Sequence, residues 1–243
     1  MTEIKPKLEY TVNTSETGIP AIIVAAGNSS RMNGINKQFL PLCSIPVIIR
    51  TLLAFERCAA VSGIILAARD SDIEKLQLLT QKYGISKLGD IVCGGNTRQE
   101  SVLKGFERLS SGTREVLIHD GARPLVDSGI ITSVTQALKN HTAVTCAVKV
   151  KDTVKQIDES GKVIKTLKRD NLVLVQTPQG VKVDEYRLAA EKAGDLSQFT
   201  DDASLMEAAG YEVYTVEGSY RNIKITTPED IAAAESYISA AEQ

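Results

Sequence analysis

Short apolar runs of β-type residues recur along this 243-residue chain, and stretches with helical spacing lie between them. Ala21 to Val24, Ile64 to Ala67, Asp90 to Cys93, Val116 to Ile118 and Val144 to Val148 read as strands, the second of them apolar enough to be buried on both faces. Thr97 to Leu109 carries Val102, Phe106 and Leu109 at helical spacing, and Ile130 to Leu138 is again helical. Ser71-Asp72-Ile73-Glu74 has the pattern of a capping box opening a helix that Gly84 is placed to end. This alternation predicts an α/β, Rossmann-like fold with a mostly parallel sheet and helices on both faces. A hydrophobic content of 43% is enough for one large domain, expected over residues 18–243. Residues 1–17 show no hydrophobic period and read as a flexible N-terminal extension.

One segment breaks the rhythm. Asp152 to Leu167 alternates through Val154, Ile157, Val163 and Ile164 around the turn Glu159-Ser160-Gly161, which predicts an inserted β-hairpin arm at about 150–170. The arm is too polar to be core, and a hairpin with little to bury against leans on something else, here a second subunit. The expectation is a homodimer joined through the arm. The chain then returns through Leu172 to Gln176 and two helices to Glu212–Val216, and Thr227 caps a last helix that starts at Pro228.

Composition removes several classes of function. A net charge of −2 argues against a nucleic-acid partner, so cationic residues must be gathered locally, as in a site for a small anion. The longest apolar stretches fall short of the ~20 residues a membrane span needs, and the polar N-terminus lacks a signal-peptide core, so no membrane contact and a cytoplasmic location are expected. Cys43, Cys58, Cys93 and Cys146 form no CxxC, and three of the four lie in apolar stretches that suit buried reduced thiols. His119 and His141 stand alone, without HExxH or cysteine partners, which makes zinc improbable. No GxSxG elbow points to a serine hydrolase.

The loops after the strands carry the chemistry. Ala25-Ala26-Gly27 lets a ligand approach backbone N–H groups, and Arg31 and Lys37 follow to neutralise a phosphate chain; an ordinary strand-to-helix turn with solvated cations is the alternative. The loop matches neither GxxxxGK[ST] nor GxGxxG. Gly94-Gly95-Asn96-Thr97-Arg98-Gln99-Glu100-Ser101 stands where open α/β sheets bind ligands, and equally fits a turn with a helix cap. In His119-Asp120-Gly121-Ala122-Arg123-Pro124, Asp120 suits Mg²⁺, or a local pair with Arg123. Thr153 and Arg169 at the base of the arm suit a second phosphorylated substrate, or are simply polar surface. Gln176-Thr177-Pro178-Gln179, Thr200-Asp201-Asp202-Ala203 and Asn222-Ile223-Lys224-Ile225-Thr226 each read locally as a turn or a helix start.

In this order and spacing, AAGxxxRM, KQ, GGxTRxxSV, HDGARP, DTVK, QTPQ, TDDA and NIKITTPED resemble the 2-C-methyl-D-erythritol 4-phosphate cytidylyltransferases, from about Ile19 to Ile238. The resemblance implies an enzyme of non-mevalonate isoprenoid biosynthesis that joins CTP and the polyol phosphate to give 4-diphosphocytidyl-2-C-methyl-D-erythritol and pyrophosphate. It implies that Ala25, Ala26 and Gly27, with Arg31 and Lys37, hold the CTP phosphates. Gly95, Asn96 and Ser101 fall where the family reads cytosine, Gly121 belongs to the nucleotide site, and Asp120 falls where the family holds Mg²⁺. Thr153, Arg169, Thr200 and Lys224 match positions that grip the polyol phosphate, with Arg31, Lys37, Arg169 and Lys224 as the catalytic cations. The family's arm crosses to a partner, so that each site is built from two chains. The sequence departs from the pattern at Ser29, where many members have a second glycine, at Gly121 in place of a common alanine, and at Arg221, where some members are acidic. Five residues separate Arg31 from Lys37, one fewer than in the pattern.

The chemistry needs no protein nucleophile, because a phosphate monoester, with its second pKa near ~6, is already a dianion at neutral pH. Two rivals remain: a ribitol-5-phosphate cytidylyltransferase of the same fold, which would share the first loop and the GG motif, and a non-catalytic nucleotide-binding regulator. TDDA and NIKITTPED favour the methylerythritol substrate, and a regulator has no use for cations that clamp a second phosphate.

Overall fold

The computed structural model describes residues 18–27 and 36–240. Its centre is a seven-stranded sheet in the order β11-β7-β10-β6-β1-β4-β5. The strands are β1 (Ile19–Val24), β4 (Val61–Ala68), β5 (Leu88–Cys93), β6 (Glu115–Asp120), β7 (Ala143–Lys149), β10 (Val173–Lys182) and β11 (Val213–Glu217). All neighbours are parallel except β10, which runs antiparallel to both β6 and β7. Alternation along β1 shows why both faces must be covered. Ala21 and Ile23 enter one core with α1 (Val47–Glu56), α2 (Ile73–Lys82) and α4 (Ser128–Leu138), while Ile22 enters the other with α3 (Arg98–Phe106), α5 (Val183–Ala193) and α6 (Asp202–Ala208). Strand β4 is buried at all eight positions, as its apolar run predicts. A third, smaller cluster joins α7 (Pro228–Ser239) to Leu42 and Val47 near the carboxyl ends of the strands, Leu42 lying in a two-stranded ribbon of β2 (Pro41–Leu42) and β3 (Ile45–Pro46). Among the described residues no helix is long and apolar enough to cross a membrane.

The arm is a separate antiparallel pair, β8 (Lys155–Ile157) and β9 (Val163–Thr166), exposed at every position. Three expectations are corrected. Gln176-Thr177-Pro178-Gln179 is not a turn but the middle of β10, where the pairing with β7 stops at Val175 and resumes at Gln179. The ladder irregularity accommodates a proline that has no N–H to donate. The Ser71–Glu74 capping box does not form: a 3-10 turn over Asp70–Asp72 precedes α2, and Asp72 makes no cap bond. Two cysteines are buried rather than three, since Cys58 and Cys146 are enclosed while Cys43 and Cys93 are exposed. The N-terminal extension, Ser29 and Arg31 lie outside the described residues.

Candidate active site

Strands β1, β4, β5 and β6 end side by side, and a cleft of about 410 Å³ opens over their carboxyl ends. Ala26 and Gly27 form one wall and Gly94, Gly95 and Asn96 another. A Cβ on Gly94 would collide with Ala26 and lie 2.8 Å from Ser101 Oγ, so the two loops close on each other only because Gly94 has no side chain. Ser101 Oγ accepts from Gly95 N at 3.0 Å and donates to Thr97 O at 2.9 Å, which ties the glycine loop to the start of α3. Ala25 and Gly121 sit behind this wall. Ala25 N donates to Ala67 O, and a Cβ at Gly121 would be 2.9 Å from Ile48 Cδ1, so both pack the loop from below.

The floor is an ionic cluster around Asp120. Arg98 Nε lies 3.1 Å from Asp120 Oδ1, and Lys224 Nζ lies 2.8 Å and Arg123 Nε 3.7 Å from Oδ2. Burial works against the charge on Asp120, but Arg98, Lys224 and Arg123 outweigh it and hold the carboxyl well below the usual carboxylate range. Arg98 reaches further, to Asp202 Oδ2 at 2.8 Å, and Asp202, fully buried, also accepts from Tyr186 Oη at 2.9 Å. Burial disfavours the Arg98 charge, yet Asp202 and Asp120 hold its pKa above the ordinary arginine value. Gln179 supports this arrangement, since its Oε1 accepts from the backbone N–H groups of Asp202 and Ala203, both at 2.9 Å.

His119 is no proton carrier. Its Nε2 faces the Arg123 carbonyl at 3.2 Å, and a carbonyl only accepts, so Nε2 carries the hydrogen and Nδ1 accepts from Thr177 Oγ1 at 3.0 Å. Burial pushes the imidazole pKa down to about 3, leaving it neutral at physiological pH. The site therefore offers cations and backbone donors, with no activated nucleophile in view among the described residues.

A model of the 2-C-methyl-D-erythritol 4-phosphate cytidylyltransferase family matches residues 19–240. The chain belongs to this family. The cytidylyltransferase of Bacillus cereus is 46% identical over 220 residues, covering 89% of this chain and 96% of its own length. That of Clostridium novyi is 44% identical over 221 residues, covering 90% and 95%. The crystal structure of the Anaerococcus prevotii 4-diphosphocytidyl-2C-methyl-D-erythritol synthase superposes with a TM-score of 0.82 at 33% identity, covering 92% of this chain and 96% of that one. The Thermus thermophilus cytidylyltransferase gives 0.74 at 31% identity, with 92% and 100% covered.

Against this cytidylyltransferase background, the fold gathers Ala26, Gly27, Lys37, Gly95, Asn96 and Ser101 around one cleft, with Asp120 and Lys224 at its floor. Lys224 is delivered by a backbone bond from Ile225 N to Ala122 O at 2.8 Å. Thr153 and Arg169 are exposed on the arm, and Arg169 Nη1 donates to Lys151 O at 2.9 Å; neither lines this cleft. Thr200 is exposed just before Asp201, which caps α6 by accepting from Ser204 N. Arg98 and Asp202 carry roles that the motifs alone do not assign. A usable signal was present for Arg98: it is the first residue of α3, where a cation opposes the helix dipole and so calls for an acidic partner.

Proposed function

We propose that this chain transfers the cytidylyl group of CTP to the phosphate of 2-C-methyl-D-erythritol 4-phosphate. A phosphate oxygen of the polyol attacks the α-phosphorus in line, the bond from that phosphorus to the bridging oxygen breaks, and pyrophosphate leaves. The observation that carries this reading is the convergence of Lys37 and Lys224, with the two glycine-bearing loops, on one cleft at the strand ends of a chain belonging to this family. Catalysis then consists of positioning two anions and stabilising charge on the α-phosphate. Lys37 and Arg31 serve the triphosphate, and Lys224 aims the attacking phosphate.

Mg²⁺ belongs to the reading. Among the described residues no three His, Cys, Asp or Glu side chains gather as ligands, so no protein cage exists there. Asp120 is the carboxylate of the cluster that lines the cleft, but Arg98 and Lys224 already hold its two oxygens at 3.1 and 2.8 Å, so it would meet Mg²⁺ only alongside them, with phosphate oxygens and waters filling most of the ion's shell. Bound there, the ion would neutralise part of the triphosphate charge.

The reading also includes a second copy of the chain. Ile157, Val163 and Ile164 on the arm and Val173, Leu174 and Val175 on the start of β10 are between 42% and 57% exposed. Such a surface favours burial against a partner. With Thr153 and Arg169 on the arm, the partner's cleft is the place they serve.

Pyrophosphate release with CTP and either polyol phosphate tests the substrate. The expected kcat/KM for methylerythritol phosphate exceeds that for ribitol 5-phosphate by at least about 100-fold, the scale on which a built pocket discriminates. Equal or faster turnover of ribitol 5-phosphate would overturn the assignment, and nucleotide binding without release from either would make the chain a regulator.

A further inference from the structure

Asp72 leaves its own helix uncapped and is used elsewhere. Its Oδ2 accepts from Arg69 Nε at 3.0 Å and from Asn36 Nδ2 at 2.8 Å, with the carboxylate only 13% exposed. Asn36 is the N-cap of the 3-10 turn Lys37–Phe39, and its Oδ1 accepts from Gln38 N at 3.2 Å. The two contacts fix the amide's orientation. Turned over, its oxygen would face a carboxylate and its NH₂ would face the Gln38 N–H. A second tie joins the same elements, for Lys75 Nζ of α2 lies 3.8 Å from the centre of the Phe39 ring.

The turn itself is short. Its closing backbone bonds are Phe39 N to Asn36 O at 3.1 Å and Leu40 N to Lys37 O at 3.3 Å, and a turn of this length has little stability of its own. What holds Asn36 and Phe39 therefore helps to set the place of Lys37, alongside the bond from Val47 N to Leu40 O at 3.0 Å that ties the end of the turn to α1. Asn36 and Phe39 are both held by the segment that opens α2, and Arg69 and Lys37 line the same cleft.

We infer that Asp72 is a positioning residue for cytidylyl transfer: through Asn36 it holds the Lys37 turn where the ammonium meets the reacting phosphate. The inference rests on the role proposed above for Lys37, so its test is a double-mutant cycle with that residue. Asp72→Ala is expected to lower kcat by about 10- to 100-fold, the scale of an ångström-sized misplacement. The KM for CTP should change by less than about threefold, since the loss falls on the transition state. In a Lys37→Ala background the same substitution should change kcat by less than about twofold, because the group it positions is gone. Asp72→Asn should recover most of the activity, as one oxygen accepts both bonds and an amide oxygen can replace it. An equal fold-loss in both backgrounds would mean that Asp72 only supports the fold, and an unchanged kcat in Asp72→Ala would mean that it positions nothing. Either result overturns the inference while leaving Lys37 in its role. A Lys37→Ala enzyme with wild-type kcat would instead refute the Lys37 reading, and this inference with it.

Discussion

Lys37→Ala is expected to lower kcat by about 10² to 10³ while weakening CTP binding far less, the pattern for loss of one preorganised donor aimed at developing charge. Lys37 opens the short turn Lys37–Phe39 and lines the same cleft as Ala26, Gly27 and Asp120. Charge on the α-phosphate is greatest when the attacking oxygen and the leaving pyrophosphate are both partly bonded, so a cation there acts most strongly at that moment. Single-turnover rates under saturating CTP, with nucleotide affinity measured separately, decide the matter. A rate within a few-fold of the parent would remove Lys37 from the transition state.

Asp202→Ala should destabilise the fold by about 3–5 kcal/mol, the range for breaking a buried pair from one side. The carboxylate is fully buried between the Arg98 guanidinium and the Tyr186 hydroxyl, and its loss strips both of a partner. For a domain of this size that is a fall in Tm of about 10 °C. Arg98 would keep Asp120 as its remaining acid. Thermal unfolding of the variant measures the effect, and a Tm within 2 °C of the parent, about 1 kcal/mol or less, would show that the Arg98–Asp202 pair is not a structural anchor.

The central strands could be read from periodicity because β1, β4 and β7 are mostly buried and mostly apolar. Strand β4, with all eight residues enclosed, is the clearest case. The loops at the strand ends announced themselves through glycine, small residues and charge. What periodicity could not convey was how those loops interlock. Arg98 meets Asp120 across 22 residues of sequence, and Gln179 meets the start of α6 across 23 and 24. These contacts depend on which strand lies beside which. The same limit explains Gln176–Gln179, whose local chemistry says turn although neighbouring β6 and β7 impose a strand. The Ser71–Glu74 stretch illustrates the converse, since a valid local cap pattern does not form and Asp72, which precedes α2, is engaged by Arg69 and Asn36 instead. Thr153 and Arg169 match substrate-gripping positions in the resemblance, yet within one chain they are exposed on the arm and do not line the cleft that holds Lys37 and Lys224.

On the proposed reading, the cleft of one chain and the arm of another make one site. Lys37→Ala and Arg169→Ala proteins, each nearly inactive, are mixed under conditions of subunit exchange, and pyrophosphate release is measured once heterodimers have formed. If the arm crosses over, each heterodimer holds one intact site and one doubly impaired site, so a random mixture should recover about a quarter of wild-type activity. Recovery at that level is the result the account predicts. No recovery in a mixture proven to contain heterodimers would place Lys37 and Arg169 of the same chain in one site and contradict it.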